Sequence, residues 1–301
     1  MTPLHMFAEV VIGGLMTGLM YSLVALGFVL IYKASTAFNF AQGAMVFFGA
    51  LTLVGFTELG VPFWFALLLT VGVMVLLGVV TERVVMRPLV GQHEITLFMA
   101  TIGLAFVVEG LAQLLWGVEV RRMDLGIPDL PIEWILTNTG LLLTQFDIFA
   151  AAVAAVLVAT LAIVFSRTKV GRGLRAVADD HASALAVGIP LQRIWIMVWA
   201  VAGIIALVAG MLWASRAGVQ FALVFLALKA LPVLIIGGFT SVPGVIVAGL
   251  LVGVAERMFE VYVGSPILGG GTEAWFPFIL AILFLLVRPE GLFGEKIIRR
   301  V

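Results

Sequence analysis

The chain has 301 residues, of which 63% are hydrophobic and 11% charged, with a formal net charge of +0 and mean hydropathy of +1.22. Soluble domains carry roughly 25% charged residues, so this composition excludes an ordinary water-soluble domain and indicates an integral membrane protein. The sequence has no cysteine, which excludes disulfides, thiol catalysis and cysteine-ligated metals, and it has no basic surface suited to nucleic acid.

The first apolar run, about 7–31, has no basic segment before it and no small-residue cleavage site, and it exceeds the apolar core of a secretory signal. It reads as a retained helix. Gly14 and Gly18 within it form a G-x-x-x-G pattern suited to close helix packing. The next stretch, "IYKASTAFNFAQGAMVFFGA", residues 31–50, places Asn39, Gln42 and Gly43 at the head of an apolar run. Unpaired amides are costly in hydrocarbon, so these groups are expected to face protein or a wet cavity. Two readings stand: the amides cap or cross-link neighbouring helices, or they begin a half-helix beside a translocation route.

Further apolar stretches at about 39–57, 62–81, 95–117, 146–166, 193–214, 221–238, 242–263 and 274–288 follow. The expected fold is an all-α integral membrane protein, a polytopic bundle of about 8–9 spans with broken or re-entrant helices. The expected domain organisation is a single transmembrane domain over residues 1–301, with a cytoplasmic loop at about 167–190.

Basic residues concentrate in three connections: Arg83 and Arg87; Arg167, Lys169, Arg172, Arg175 and Arg193; and Arg288, Lys296, Arg299 and Arg300. By the positive-inside rule these mark the cytoplasmic face. The loop at about 118–145 holds Glu119, Asp124, Asp129 and Glu133 and is expected outside, with Pro128 and Pro131 opposing a long helix. In the cytoplasmic connection "SRTKVGRGLRAVADDHASALAVGIPLQRI", Gly171 and Gly173 suggest a flexible lead-in. Ala176 to Val187 reads as a short helix, and Gly188 with Pro190 as its stop. The segment is either a solvated linker or a docking element with Ala184, Leu185 and Val187 as an apolar knob.

Later in the chain, "LPVLIIGGFTSVPGVIVAGLLVG" echoes residues 26–51, running apolar, then polar and glycine-rich, then apolar, and setting Gly244 near the position of Gly43. Gly237, Gly238, Thr240 and Ser241 supply the break in this second half, and Gly249 with Gly253 forms another G-x-x-x-G. Glu109 and Gln113 share a helical face, as do Glu256 and Glu260; the latter pair lies near a span end beside Arg257 and reads as water-exposed or as a subunit contact. Lys229 either neutralises a carboxylate or snorkels. His5, His93 and His181 lack ligand spacing, so no metal site is expected.

The blocks "GLMYSLVALGFVLIYKASTAFNFAQGAMVFFGA", "LKALPVLIIGGFTSVPGVIVAGLLVG" and "VRPEGLFG" resemble those of branched-chain amino acid ABC permeases of the LivH type, and the resemblance extends over nearly the whole chain. The cytoplasmic connection is similar to the coupling segment of importer permeases, although "DDHASALAVGI" departs from their strict motif. The resemblance implies an ABC importer permease fold and ATPase coupling through Gly171, Arg172, Arg175, Asp179, Asp180, Ala184, Leu185 and Gly188. In the second reading of the helix breaks, a translocation route is bordered by Asn39, Gln42, Gly43, Gly237, Gly238, Thr240 and Ser241. The implied partners are a second, LivM-like permease, two cytoplasmic ATPase subunits and a periplasmic binding protein, in the bacterial inner membrane.

No G-x-x-x-x-G-K-[ST] phosphate loop occurs in the sequence, so no ATPase activity and no bound cofactor are expected of this chain, ATP being used by partner subunits. The expected cargo is a branched-chain or other apolar amino acid. Alternatives are urea, short amides or small carboxylates carried by the same family, or an ion-coupled transporter or membrane scaffold.

Overall fold

The computed structural model describes residues 3–179 and 181–293. Every apolar stretch expected to span falls on helix. The helices are α1 (Pro3–Ser35), α2 (Gln42–Glu58), α3 (Phe63–Val80), α4 (Glu94–Trp116), α5 (Glu133–Thr139), α6 (Gln145–Arg167), α7 (Lys169–Asp179), α8 (His181–Ala186), α9 (Leu191–Ala217), α10 (Leu226–Lys229), α11 (Leu231–Gly237), α12 (Val242–Phe259) and α13 (Phe276–Val287). Among the described residues there is no β-strand, only isolated bridges from Arg121 to Val219 and from Pro131 to Thr144.

Among the described residues, six helical segments are long and apolar enough to cross a bilayer: Leu4–Ser35, Phe63–Leu89, Glu94–Trp116, Gln145–Arg167, Leu191–Ala217 and Val242–Leu268. The other three expected spans are shorter. Helix α2 has 17 residues, about 26 Å at the usual helical rise, which falls just short of the hydrocarbon core. Residues 221–237 are broken into a 3-10 turn (Phe221–Phe225), α10 and α11, and α13 has 12 residues.

Proline sets two of the irregularities. Helix α3 runs on into a π-helical turn, Thr81–Met86, and a 3-10 turn, Arg87–Leu89, while α12 runs into a π-helical segment, Glu260–Leu268. Pro88 and Pro266 lack the amide proton that regular α-helix requires, and their rings crowd the carbonyl four residues back. The backbone beside each is therefore forced out of the α pattern, widening into a π turn.

The chain forms two compact units. One comprises Met1–Ala25, Asp124–Thr160 and Lys229–Val301; the other comprises Leu26–Met123 and Leu161–Leu228. In the first, α11 packs on α12 and α13, and the amino-terminal part of α1 lies against α12. Both G-x-x-x-G patterns meet there: a Cβ on Gly14 would lie 2.6 Å from the Cα of Val254, and one on Gly18 would lie 2.8 Å from that of Leu250. Ser22, one turn further on, donates to the Gly18 carbonyl at 2.8 Å and reaches the Ile246 carbonyl at 3.3 Å. In the second unit α9 packs against α2 and α3, and α4 packs against α2. Gly203 and Gly210 of α9 admit the backbones of α3 at Met74 and α2 at Val46, so small residues again set the helix separation.

Candidate functional site

The α1–α2 corner holds the first group of expected route residues. Ser35 Oγ donates back to the Ile31 carbonyl at 2.8 Å, and Thr36 then adopts φ +54, a left-handed conformation that costs a β-branched residue about 1–2 kcal/mol. This turn stops α1 and redirects the chain. A run of rings holds the redirected strand: Phe28 stacks on Phe38 at 5.0 Å, Phe38 meets Phe40 at 4.6 Å, and Phe40 meets Phe98 edge-on at 4.7 Å. Thr101 Oγ1 of α4 donates to the Phe38 carbonyl at 2.9 Å.

Asn39 and Gln42 are wholly buried in this corner. Asn39 Oδ1 accepts the Ala41 amide at 3.1 Å, and Asn39 Nδ2 donates to Gln42 Oε1 at 3.1 Å. The pair therefore substitutes for helix capping at the start of α2, whose flanking Ala41 has no side-chain cap of its own. Gln42 Nε2 is buried against Gly27 and has no hydrogen-bond partner among the described residues. Gly43 faces the broken segment: a Cβ there would collide with the Val224 carbonyl and come within 3.2 Å of Ala227 Cβ. The hydrogen bonds of the two amides are thus local to the corner, and the Gln42 NH2 group is left over within it.

The second group lies in the other unit. Helix α11 ends at Gly237, Gly238 takes φ +96, and Ser241 Oγ accepts the Gly244 amide at 3.1 Å as the cap of α12. Gly237 lets the turn fold tightly, since a Cβ there would sit 2.7 Å from Val245 Cα. Thr240 is half-buried in the same turn. The carboxy-terminal "VRPEGLFG" block returns to this break. Leu292 N donates to the Ile236 carbonyl at 2.7 Å, and Gly291 lies against Gly238. Gly43 and Gly244 occupy equivalent places, in the first turn after a break, each kept small by a carbonyl oxygen: that of Val224 for Gly43 and that of Gly237 for Gly244. The sequence echo thus has a geometric counterpart.

The connection at about 167–190 differs from its sequence reading in two ways. Helix starts at Lys169, so Gly171 and Gly173 lie inside α7 and not in a flexible lead-in. The reason is packing: Gly171 sits directly on the Phe165 backbone, and Leu174 and Val177 are buried on the same face. Arg175 donates to the carbonyls of Phe165 and Ser166, closing the end of α6. Arg172 and Asp179 remain partly or fully exposed on α7, and Asp180 lies outside the described residues. The expected apolar knob is also split. Ala184 is buried, whereas Leu185 and Val187 are 55% and 75% exposed. Gly188, at φ +81, ends α8 by donating to the Leu185 carbonyl at 3.0 Å.

Three further polar features are less apparent from sequence. Glu256, read as water-exposed or a subunit contact, is 4% exposed and accepts a hydrogen bond from Tyr21 Oη at 3.0 Å. Its neighbour Glu260 instead ties the following loop, accepting from Thr272 N at 2.8 Å and Gly271 N at 3.1 Å. Glu82, hidden in the basic run "TERVVMRP", is wholly buried, with neither carboxylate oxygen hydrogen-bonded among the described residues. Its signal in the sequence was an acid set among the arginines of a span end.

The family model described as "Branched-chain amino acid transport system / permease component" matches residues 10–288. The high-affinity branched-chain amino acid transport system permease protein BraD of Pseudomonas aeruginosa is 27% identical over 312 residues, covering 100% of each chain. LivH of Escherichia coli K12, a permease protein of the same description, is 27% identical and covers 98% of each chain. A probable branched-chain amino acid transport permease protein LivH of Methanocaldococcus jannaschii is 26% identical over 90% of this chain and 88% of its own. With a match that runs from the first helix through the last, this chain belongs to the branched-chain amino acid transport system permease family.

Proposed function

We propose that this multi-pass membrane protein is the permease subunit of an ATP-driven importer that passes branched-chain or other apolar amino acids across the inner membrane. The family match over residues 10–288 carries the reading. Two features of the molecule support it. Both helix breaks place irregular backbone and polar side chains at the heads of α2 and α12, which membrane proteins tolerate where such backbone lines a cavity or is buried in protein. The buried Asn39 lies beside Met45 and within the run of Phe28, Phe38, Phe40 and Phe98, so the amides of this break have apolar surroundings.

In this reading Asn39, Gln42 and Gly43, with Gly237, Gly238, Thr240 and Ser241, border the route. Helices α7 and α8 transmit the stroke of an ATPase subunit, with Arg172, Asp179, Leu185 and Val187 outermost and Gly171, Arg175, Ala184 and Gly188 holding the segment's shape. Asp180 belongs to the same segment. Two ATPase subunits, a second, LivM-like permease and a soluble binding protein complete the assembly, and ATP is bound by the partners. High affinity resides in the binding protein.

The test is initial-rate uptake of leucine in proteoliposomes holding the complete assembly, ATP and saturating binding protein, with alanine, urea and short amides as competitors. Leucine uptake that alanine reduces and urea does not is the expected result. Urea uptake without amino acid uptake would overturn the substrate assignment.

A further inference from the structure

The wholly buried Glu82 is unusual for a second reason: it lines a cavity. A partly open cavity of about 430 Å³ is bordered by Glu82 and Arg87 together with Leu185, Pro190, Leu191 and Trp195. A neighbouring space of about 460 Å³ shares Leu185, Leu191 and Trp195 and adds Thr36 and Leu97. Each falls in the size range of small-molecule sites, about 300–1,000 Å³. The polar and apolar components are arranged by different elements. The π-helical turn carries Glu82, the 3-10 turn carries Arg87, and the apolar wall comes from α8 and the start of α9. Trp195 is fixed in that wall because its Nε1 donates to the Ala34 carbonyl at 2.9 Å.

A buried carboxylate without a donor is costly, and none of the described residues forms an ion pair or hydrogen bond with it. Arg87, on the same cavity, is exposed and is likewise not in an ion pair among the described residues. One acid, one guanidinium and an aliphatic wall match the three parts of a free α-amino acid with an apolar side chain: ammonium, carboxylate and alkyl group.

We propose that this cavity is a cytoplasm-side binding site for a free aliphatic α-amino acid, with Glu82 receiving the ammonium, Arg87 the carboxylate and Leu185, Leu191 and Trp195 the side chain. The proposal rests on the reading of the cargo as an apolar amino acid and on the basic connections facing the cytoplasm. Because Leu185 belongs to α8, an occupied site ties the coupling segment to the π-helical turn. Accumulated cargo therefore restrains the element that the ATPase must move, and import slows as the internal pool fills.

The test uses the complete permease–ATPase assembly in nanodiscs without binding protein, and measures equilibrium binding of leucine, of leucinamide, which lacks the carboxylate, and of 4-methylpentanoate, which lacks the ammonium. Wild type is expected to bind leucine best. Glu82→Gln should weaken leucine roughly tenfold yet leave 4-methylpentanoate unchanged, and Arg87→Gln should weaken leucine similarly yet leave leucinamide unchanged. Leu185→Trp, which fills the cavity from an exposed position, should abolish binding in a folded assembly and keeps the test open if Glu82→Gln misfolds. Wild type that imports leucine in proteoliposomes but binds none here, or variants that weaken all three ligands alike, would overturn this site while leaving the transport reading intact. Failure of leucine import itself would overturn the transport reading instead.

Discussion

At the scale of single residues, the Asn39–Gln42 pair decides between support and passage. Asn39 caps through Oδ1 and donates to Gln42 through Nδ2, so Asn39→Leu strands the Ala41 amide and Gln42 Oε1 together. A buried polar group left without its partner costs about 1–3 kcal/mol, so a lower melting temperature and less folded protein are expected. Gln42→Leu removes the amide that already has an unpartnered N–H, and is expected to be the milder change. If the pair also eases crossing, maximal uptake per folded molecule falls in both variants while the apparent affinity of the whole system stays set by the binding protein. Unchanged maximal uptake per folded molecule would leave the pair a support alone.

The Tyr21–Glu256 bond gives a second residue-scale expectation. Glu256 is buried and Lys229 acts on it electrostatically, so Glu256→Gln retains a hydrogen-bond acceptor for Tyr21 but removes the charge facing that lysine. Glu256→Leu removes both. Thermal stability in detergent should therefore fall further for Leu than for Gln, and Tyr21→Phe should lower it by about 1 kcal/mol, the usual contribution of one buried hydrogen bond. Equal stability of the Gln and Leu variants would show that the Tyr21 bond contributes nothing.

At the scale of elements, the coupling segment separates residues that the sequence placed together. Ala184, Leu185 and Val187 share an alanine-rich stretch, and composition alone cannot say which of them faces inward. In the structure Ala184 is buried under the turn that Gly188 ends, while Val187 is among the most exposed apolar residues of the unit. Ala184→Asp thus buries a charge and should reduce the yield of folded permease. Val187→Asp leaves folding intact and should lower ATP-driven uptake several-fold if an apolar ATPase groove receives this end of α8. Normal uptake by a well-expressed Val187→Asp protein would remove Val187 from the contact.

The same contrast explains what was legible. Spans 7–31, 62–81, 95–117, 146–166, 193–214 and 242–263 could be read because long apolar runs leave a membrane protein few alternatives to helix. Helix breaks could be read from Gly237–Gly238 and from the amides after Lys33, because such groups are expensive in lipid. The positions of glutamates could not. Glu82 and Glu256 both fall near the ends of the spans drawn from sequence, 62–81 and 242–263, where exposure is the default, yet both are buried, and residues distant in sequence meet them: Tyr21 approaches Glu256, and Trp195 and Leu191 share the cavity of Glu82. Nor could the π-helical turns be placed, since Pro88 and Pro266 announce an irregularity but not its form.

At the scale of the whole molecule, the chain alternates between its two units, and α1 and α6 each contribute residues to both. Each unit holds one helix break: the turn between the end of α1 and α2 in one, the turn between α11 and α12 in the other. The proposed coupling segment, α7 and α8, lies in the unit that carries the first break. In the proposed reading, a single copy, with one coupling segment and no phosphate loop in its sequence, engages a single ATPase subunit. The same proposal calls for a second coupling segment, to be supplied by a homologous permease. The expected result of site-directed cross-linking in native membranes, followed by mass spectrometry of the products, is this chain joined to a related permease, with one ATPase subunit linked through cysteines introduced at Val187. The chain contains no native cysteine, so any cross-link reports the introduced position. A product joining two copies of this chain through equivalent positions would replace the heterodimer with a homodimer. Recovery of monomer alone, under conditions that preserve other membrane complexes, would remove the paired-permease model.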